Sequence, residues 1–420
     1  MAKRIKSIGL AASVVLVLSL VLGSAIPVAE GAPAEKVVKV GLPLFITGAL
    51  GTTGSPGIAS AVDFFSSVND QGGINGVKID LMWQDTGAAP IVREIMAYKR
   101  LKEQGMMLYL SGATAPVEAL VPRLIKDEMP CMLATYQTPL TLSKPQWVFT
   151  STPGMGDCAA VGLSWFKENW KEDRLPRVGV FGYDHVSTWE VIDGVKWAAK
   201  ELGFEYVGQE IIPMLGAVDT STEWLRLAGK NTDVVYGGAC GTSGVVMVKD
   251  AKRLGIQESG ITLIHWSECV GDTLRVVGRD YDGWYVTKWI PVPTDRDMPM
   301  VKIVHEAAKK NNRGWTPETM PDTYLIFWAM GAVVVEGISL ALEKVGFESL
   351  TSRDIREGLA SVEDLDLGFG SPVSMSDAKP YWSNGMRMYH IEDGVIQPIS
   401  DKWYEYPVLL EGLKQRQRAT

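Results

Sequence analysis

Residues 37–85 read as one strand, helix, strand unit whose first turn is crowded with glycine, and that turn restricts what the rest of the chain can become. Val37 to Leu44, apolar apart from Lys39, is a run of the kind seen in a strand buried on both faces, and it breaks at Thr47-Gly48 into a glycine-rich stretch that reaches Gly57. A helix is expected next, with Ser55 as N-cap, Pro56 as its first residue, Ile58, Ala61, Val62, Phe65 and Val68 on one face, and Gly72 just past its end. Such a turn aims free N–H groups, at the positive end of a helix dipole, into the crevice above the sheet. Thr53 lies inside it and is the first candidate ligand contact.

Strand and helix then alternate, which calls for a parallel sheet covered on both faces. The periodicity predicts helices from Pro90, with Ile91, Ile95, Tyr98 and Leu101 on the buried face, and over 116–127, and strands over 106–110 and 130–134. After Thr150-Ser151-Thr152-Pro153-Gly154 the alternation restarts, with helices over 157–169, 189–202, 221–228 and 244–254 and strands over 178–182, 206–212, 234–237 and 261–266. The chain therefore carries two doubly wound units in tandem. Helices over 300–311 and 322–344 follow, and the part from Phe369, with Met386 to Ile391 and an Asp393-Gly394 turn, reads as a β-hairpin.

Thr47-Gly48, a helix ending in Asn69-Asp70-Gln71-Gly72-Gly73-Ile74-Asn75-Gly76, and a strand closing on Gln84-Asp85 together resemble the opening of the periplasmic solute-binding proteins of branched-chain amino acid (Leu/Ile/Val-type) ABC importers. The resemblance implies an α/β fold of two doubly wound Rossmann-like lobes joined by a three-strand hinge, the type I periplasmic binding protein fold. It also implies a chain that crosses between lobes near 150–155, 288–294 and 362–370. Lobe one is then 36–152 with 292–364, lobe two 153–290 with 367–405, and 406–420 a C-terminal tail.

Lys3, Arg4 and Lys6, an apolar run over Ala11 to Leu22 and small residues beyond have the layout of a secretory signal peptide over 1–34, with cleavage after Ala25, Gly31 or Ala34. The alternative is an uncleaved membrane anchor. A periplasmic or extracytoplasmic location follows. No later segment is expected to be long and apolar enough to cross a bilayer. A net charge of −8 disfavours nucleic acid as a partner, which needs a basic face. Cys131, Cys158, Cys240 and Cys269 lie in the exported part, where disulfides are permitted, but their pairing is not legible. Neither they nor the four histidines have metal-ligand spacing, so no metal and no cofactor is expected.

Ligands of open α/β sheets sit beyond the carboxyl ends of the strands. In lobe one the loop Ser111 to Pro116 takes the place of the family's ligand-binding "G-x-x-S" loop, with Ala113 and Thr114 as contacts; the bland alternative is that Thr114 only caps the next helix. The segment Ala134 to Pro139 resembles one that gives a backbone contact and a hydroxyl, so Thr135 and Thr138 compete, while Tyr136 either stacks on the ligand or belongs to the core. In lobe two the candidates are Thr188 and Trp189, where the family's usual aromatic pattern is broken, Cys240, and Glu268. Glu268 occupies the place of the acidic residue that receives the ammonium group in amino-acid binders of the family.

No phosphate loop, nucleophile elbow or H-E-x-x-H helix occurs. The expectation is a non-enzymatic binding protein. It captures a small amino acid, amide or carboxylate by hinge closure and delivers it to the membrane subunits of an ABC permease. The alternative is a ligand-sensing protein serving a chemoreceptor or signalling system, and a hydrolase of small amides is more distant.

Overall fold

The computed structural model describes residues 35–48, 50–87, 91–214, 216–267 and 269–406; the expected signal peptide and all but the first residue of the expected tail lie outside them, as does Glu268. The first half of the chain runs β1 (Val37–Leu44), α1 (Gly51–Asp70), β2 (Lys78–Asp85), α2 (Ile91–Glu103), β3 (Leu108–Ser111), α3 (Thr114–Asp127), β4 (Cys131–Leu133), α4 (Thr138–Leu142) and β5 (Val148–Phe149). These five strands form a parallel sheet in the order β2-β1-β3-β4-β5.

Period-two alternation sends successive side chains of this sheet to opposite layers. Leu108, Leu110 and Met132 enter the main core, while Tyr109, Cys131 and Leu133 pack with Tyr98, Leu101, Val117 and Leu120 of α2 and α3 on the other face.

The chain continues through α5 (Met155–Asn169), β6 (Arg177–Tyr183), α6 (Val186–Leu202), β7 (Glu205–Ile212), α7 (Ser221–Ala228), β8 (Val234–Gly238), α8 (Gly241–Arg253), β9 (Thr262–His265), α9 (Val270–Val277) and β10 (Tyr285–Lys288). Three helices follow, α10 (Pro299–Lys310), α11 (Asp322–Val345) and α12 (Ser352–Leu359), and then β11 (Gly385–Glu392) and β12 (Val395–Glu405). The second sheet has the order β12-β11-β10-β9-β8-β6-β7, parallel from β7 to β10 and closed by the antiparallel pairs β10·β11 and β11·β12. α11 packs back on α1, with Phe64 and Trp328 edge to face at 5.1 Å. Two connecting segments run side by side: Thr150 N–H donates to Pro380 O at 2.8 Å, and Ser383 N–H donates to Ser151 O at 2.9 Å.

Two expectations need correction. The glycine-rich stretch is mostly helix: α1 starts at Gly51, Pro56 lies inside it, and Ser55 donates to Ile46 O at 2.9 Å instead of capping. Its glycines serve close packing, since a Cβ on Gly54 would stand 1.9 Å from Phe45 O and one on Gly57 2.9 Å from the Phe327 ring. Secondly, α11, at 24 residues, is by length and composition able to cross a membrane. Within this protein 67% of its apolar window is buried, so that surface serves the core.

In the second lobe α5 and α6 approach through facing glycines, and a Cβ on Gly194 would fall 2.2 Å from Gly156 Cα and 2.6 Å from its carbonyl oxygen. Backbone cannot yield as a flexible side chain does. Gly194→Val is expected to destabilise the protein by about 1–3 kcal/mol, seen as a lower urea midpoint at unchanged m-value. An unchanged midpoint would show that the two helices separate freely.

Candidate ligand-binding cleft

A cavity of about 330 Å³ lies where the residues following β1, β3 and β4 meet those following β6, β8 and β9, with the first turns of α11 as a further wall. The carboxyl ends of two parallel sheets thus supply most of it, as strand polarity requires.

On the first side, Gly54 and Gly112 let backbone come close. A Cβ on Gly112 would sit 2.6 Å from Leu44 Cδ1. Ala113 is the extended N-cap residue of α3 and its N–H donates to Ser111 Oγ at 3.1 Å. Thr114 is the first helical residue, so it does not cap α3, and among the described residues no side chain does. Thr114, Thr135 and Thr323 belong to the cavity wall. Thr135 Oγ1 and Thr323 Oγ1 are buried without a hydrogen-bond partner among the described residues.

On the second side, His185 caps α6, its Nδ1 accepting from Ser187 N–H at 3.3 Å. Burial lowers its pKa against the opposing pull of Asp184, which favours a neutral imidazole. Cys240, the N-cap of α8, is joined in a disulfide to Cys269, the N-cap of α9. One turn into α9, Asp272 is pushed above the usual aspartate range by burial, although the Thr53 hydroxyl and Arg275 both favour its ionised form. Among the described residues no lysine or arginine lines the cavity, and Phe45, Leu50, Met214, Trp289, Ile326 and Phe327 make much of its surface apolar.

Several hydrogen bonds join the two sides. Thr53 Oγ1 donates to Asp272 Oδ2 at 2.6 Å, between residues 219 apart in sequence. The Tyr136 hydroxyl meets Ser267 Oγ, and Glu190 accepts from Thr138 N–H at 3.1 Å and from the Thr138 hydroxyl. Buried Lys288 pairs with Asp322 and donates to Ser267 O at 2.7 Å.

The sequence model of the family described as periplasmic binding protein matches residues 37–395. The chain belongs to this family. Solved relatives agree on the architecture, which is the type I periplasmic binding protein fold of two lobes with parallel sheets. A branched-chain amino acid ABC transporter protein from Thermus thermophilus with bound valine superposes with a TM-score of 0.80, covering 91% of this chain and 99% of that one at 17% identity. A fatty acid ABC transporter substrate-binding protein from Thermomonospora curvata gives 0.76, over 90% and 94%, also at 17% identity. A solute-binding protein from R. palustris in complex with 4-hydroxybenzoate gives 0.73, over 89% and 98%, at 16% identity. Such identities establish a shared fold. No curated protein sequence matches this one.

Of the residues expected in the site of this periplasmic binding protein, Thr53, Ala113, Thr114, Thr135 and Cys240 line the cavity. Four others do not. Tyr136 is fully buried, edge to face on Trp289 at 6.4 Å, so its ring belongs to the core. Thr138 is turned to Glu190, and Thr188 is buried inside α6 against Gly182, where a Cβ would meet it at 2.4 Å. Trp189 is 47% exposed on the outward side of α6. The helix was expected to start at Trp189, just after Thr188, but α6 begins at Val186 and commits both to helix faces. Residues missed from sequence are His185, Asp272 and the apolar wall from Trp289 and α11. The short helix α9, which aims Asp272 inward, is the signal that an i, i+3, i+4 reading of Val270, Thr273 and Leu274 would have found.

Proposed function

We propose that the protein is an extracytoplasmic solute-binding protein of an ABC importer, taking up a small amino-acid-like, amide or carboxylate solute between its lobes by hinge closure. The observation that carries this reading is the cavity of about 330 Å³ with apolar walls, bridged by the Thr53–Asp272 bond between two sheets. Its size is at the lower end of small-molecule sites. Lobe limits of 36–152 with 292–364 and 153–290 with 367–405 fit the reading, as does export to the periplasm, where a permease would receive the closed, loaded form. A non-enzymatic role fits the thiols. Cys240 and Cys269 are bonded to each other, and burial pushes Cys131 and Cys158 well above the ordinary thiol range, away from nucleophilic thiolate.

A thermal-shift panel of valine, benzoate, 4-hydroxybenzoate, octanoate and acetamide tests the proposal. A solute selective for the folded form stabilises it by about 2.7 kcal/mol at a hundred times its Kd, and small-angle scattering should show compaction with the same solute. No shift with any member, or chemical conversion of a solute, would overturn it.

A further inference from the structure

Glu94 is fully buried in the first turn of α2, directly behind the loop that opens α3. One oxygen, Oε1, accepts from the hydroxyls of Tyr109 and Ser111, the latter at 2.6 Å. Ser111 Oγ in turn accepts the Ala113 N–H at 3.1 Å, and Ala113 and Thr114 line the cavity. The other oxygen, Oε2, is buried with no hydrogen-bond partner among the described residues. A carboxyl arranged this way is tolerable when neutral and costly when ionised.

We infer that Glu94 is a positioning residue for the cavity: it fixes Ser111, and through Ser111 the start of α3, and so makes the order of this loop, and with it solute affinity, depend on pH. The affinity part rests on the proposed binding role; the loop part does not.

Burial raises the Glu94 pKa from 4.5 to about 7, against the two hydroxyl donors. Between those values the ordered loop holds a proton that the opened loop releases. The ordered form is therefore favoured at low pH and loses ground as pH rises through that window. The groups facing Glu94 stay silent there. Tyr109 on β3 and Cys131 on β4 are pushed well above their usual ranges by burial and by Glu94 itself. Tyr98 on α2, stacked edge to face on Tyr109, is raised by burial and by Asp127. Asp127 on α3 is held below its usual range by Lys102, Tyr98 and Arg123 against its own burial. Elsewhere in the protein burial also raises Glu190, to about 7, and Asp157 and Asp272, so whole-protein pH curves mix several carboxyls and a local readout is needed.

Hydrogen exchange of the amides of 112–115, corrected for intrinsic rates, supplies that readout without any solute. In the wild type, protection is expected to fall by roughly tenfold or more between pH 5 and pH 8. In Glu94→Gln, which keeps an acceptor for Ser111 but carries no charge, protection should be retained and flat with pH. Affinity for whichever panel solute binds should lose, in Glu94→Gln, the part of its pH slope that the loop supplies, leaving the part that Asp272 and His185 in the cavity wall contribute. A flat wild-type profile, or a Glu94→Gln profile with the wild-type slope, overturns the inference; absence of a binding solute overturns the proposed function and leaves the exchange result to decide this one.

Discussion

Asp63→Ala is expected to lower the unfolding free energy by about 3–5 kcal/mol, the loss typical of breaking a buried ion pair from one side. Asp63 is 5% exposed on α1 and accepts from Arg313 Nε at 2.8 Å, from Arg313 Nη2 at 2.5 Å and from the Tyr324 hydroxyl at 2.6 Å. Alanine leaves the guanidinium without its carboxylate and the phenol without its acceptor. Arg313 is 29% exposed, so water recovers part of its solvation and the lower end of the range is the expected value. Asp63→Asn keeps an oxygen for Tyr324 and should lose less. The consequence reaches the cleft, because this cluster ties α1, which carries Thr53, to α11, which carries Ile326 and Phe327. Urea unfolding checks the energy; a loss below 1 kcal/mol would mean that Arg313 simply turns to solvent.

Much of this architecture was legible because its strands are central. Val37 to Leu44 is buried between helical layers, so its sequence is apolar apart from Lys39. The elements that escaped are short: α4 has 5 residues, β5 has 2, and α9 and α12 have 8 each. α4 and β5 are too short for a period to show, while α9 carries a single i, i+3, i+4 set. Helix starts were misplaced for a common reason. At Gly51, Val186 and Gly241 the helix begins three or more residues before its expected start, since glycine, serine and threonine fill most of the opening turn and show no apolar period.

The site was readable only where strand polarity fixes it. Thr114 and Thr135 follow β3 and β4 directly, so the carboxyl-end rule places them at the wall whatever the register of the loops. Asp272, Thr323 and Phe327 arrive through helices whose docking depends on partners far away in sequence. Asp322 holds α11 in place by pairing with Lys288 and accepting from Gly271 N–H at 3.3 Å, contacts made across 34 and 51 residues. No local pattern encodes such a pair.

Reducing the Cys240–Cys269 bridge, or replacing both residues by alanine, is expected to remove about 3–4 kcal/mol of stability, from the loop-closure entropy of a 29-residue separation. The bridge does more than shorten the unfolded chain. Cys240 follows β8 and Cys269 follows β9, so the bond fastens two neighbouring loops of the second lobe, and both residues line the cavity. Cys269 is held at φ +60°, a left-handed conformation that a non-glycine residue keeps only when its surroundings enforce it. Freed of its partner, this residue is expected to relax, and α9 with it, moving Asp272 away from Thr53. Solute affinity should therefore fall along with the thermal midpoint, whereas a bridge acting on the unfolded chain alone would lower the midpoint and leave affinity intact. Thiol titration confirms reduction, and the double alanine variant must be indifferent to the reductant. Wild-type affinity in that variant would remove the disulfide from the binding apparatus, and an unchanged midpoint on full reduction would remove it from the stability of the fold.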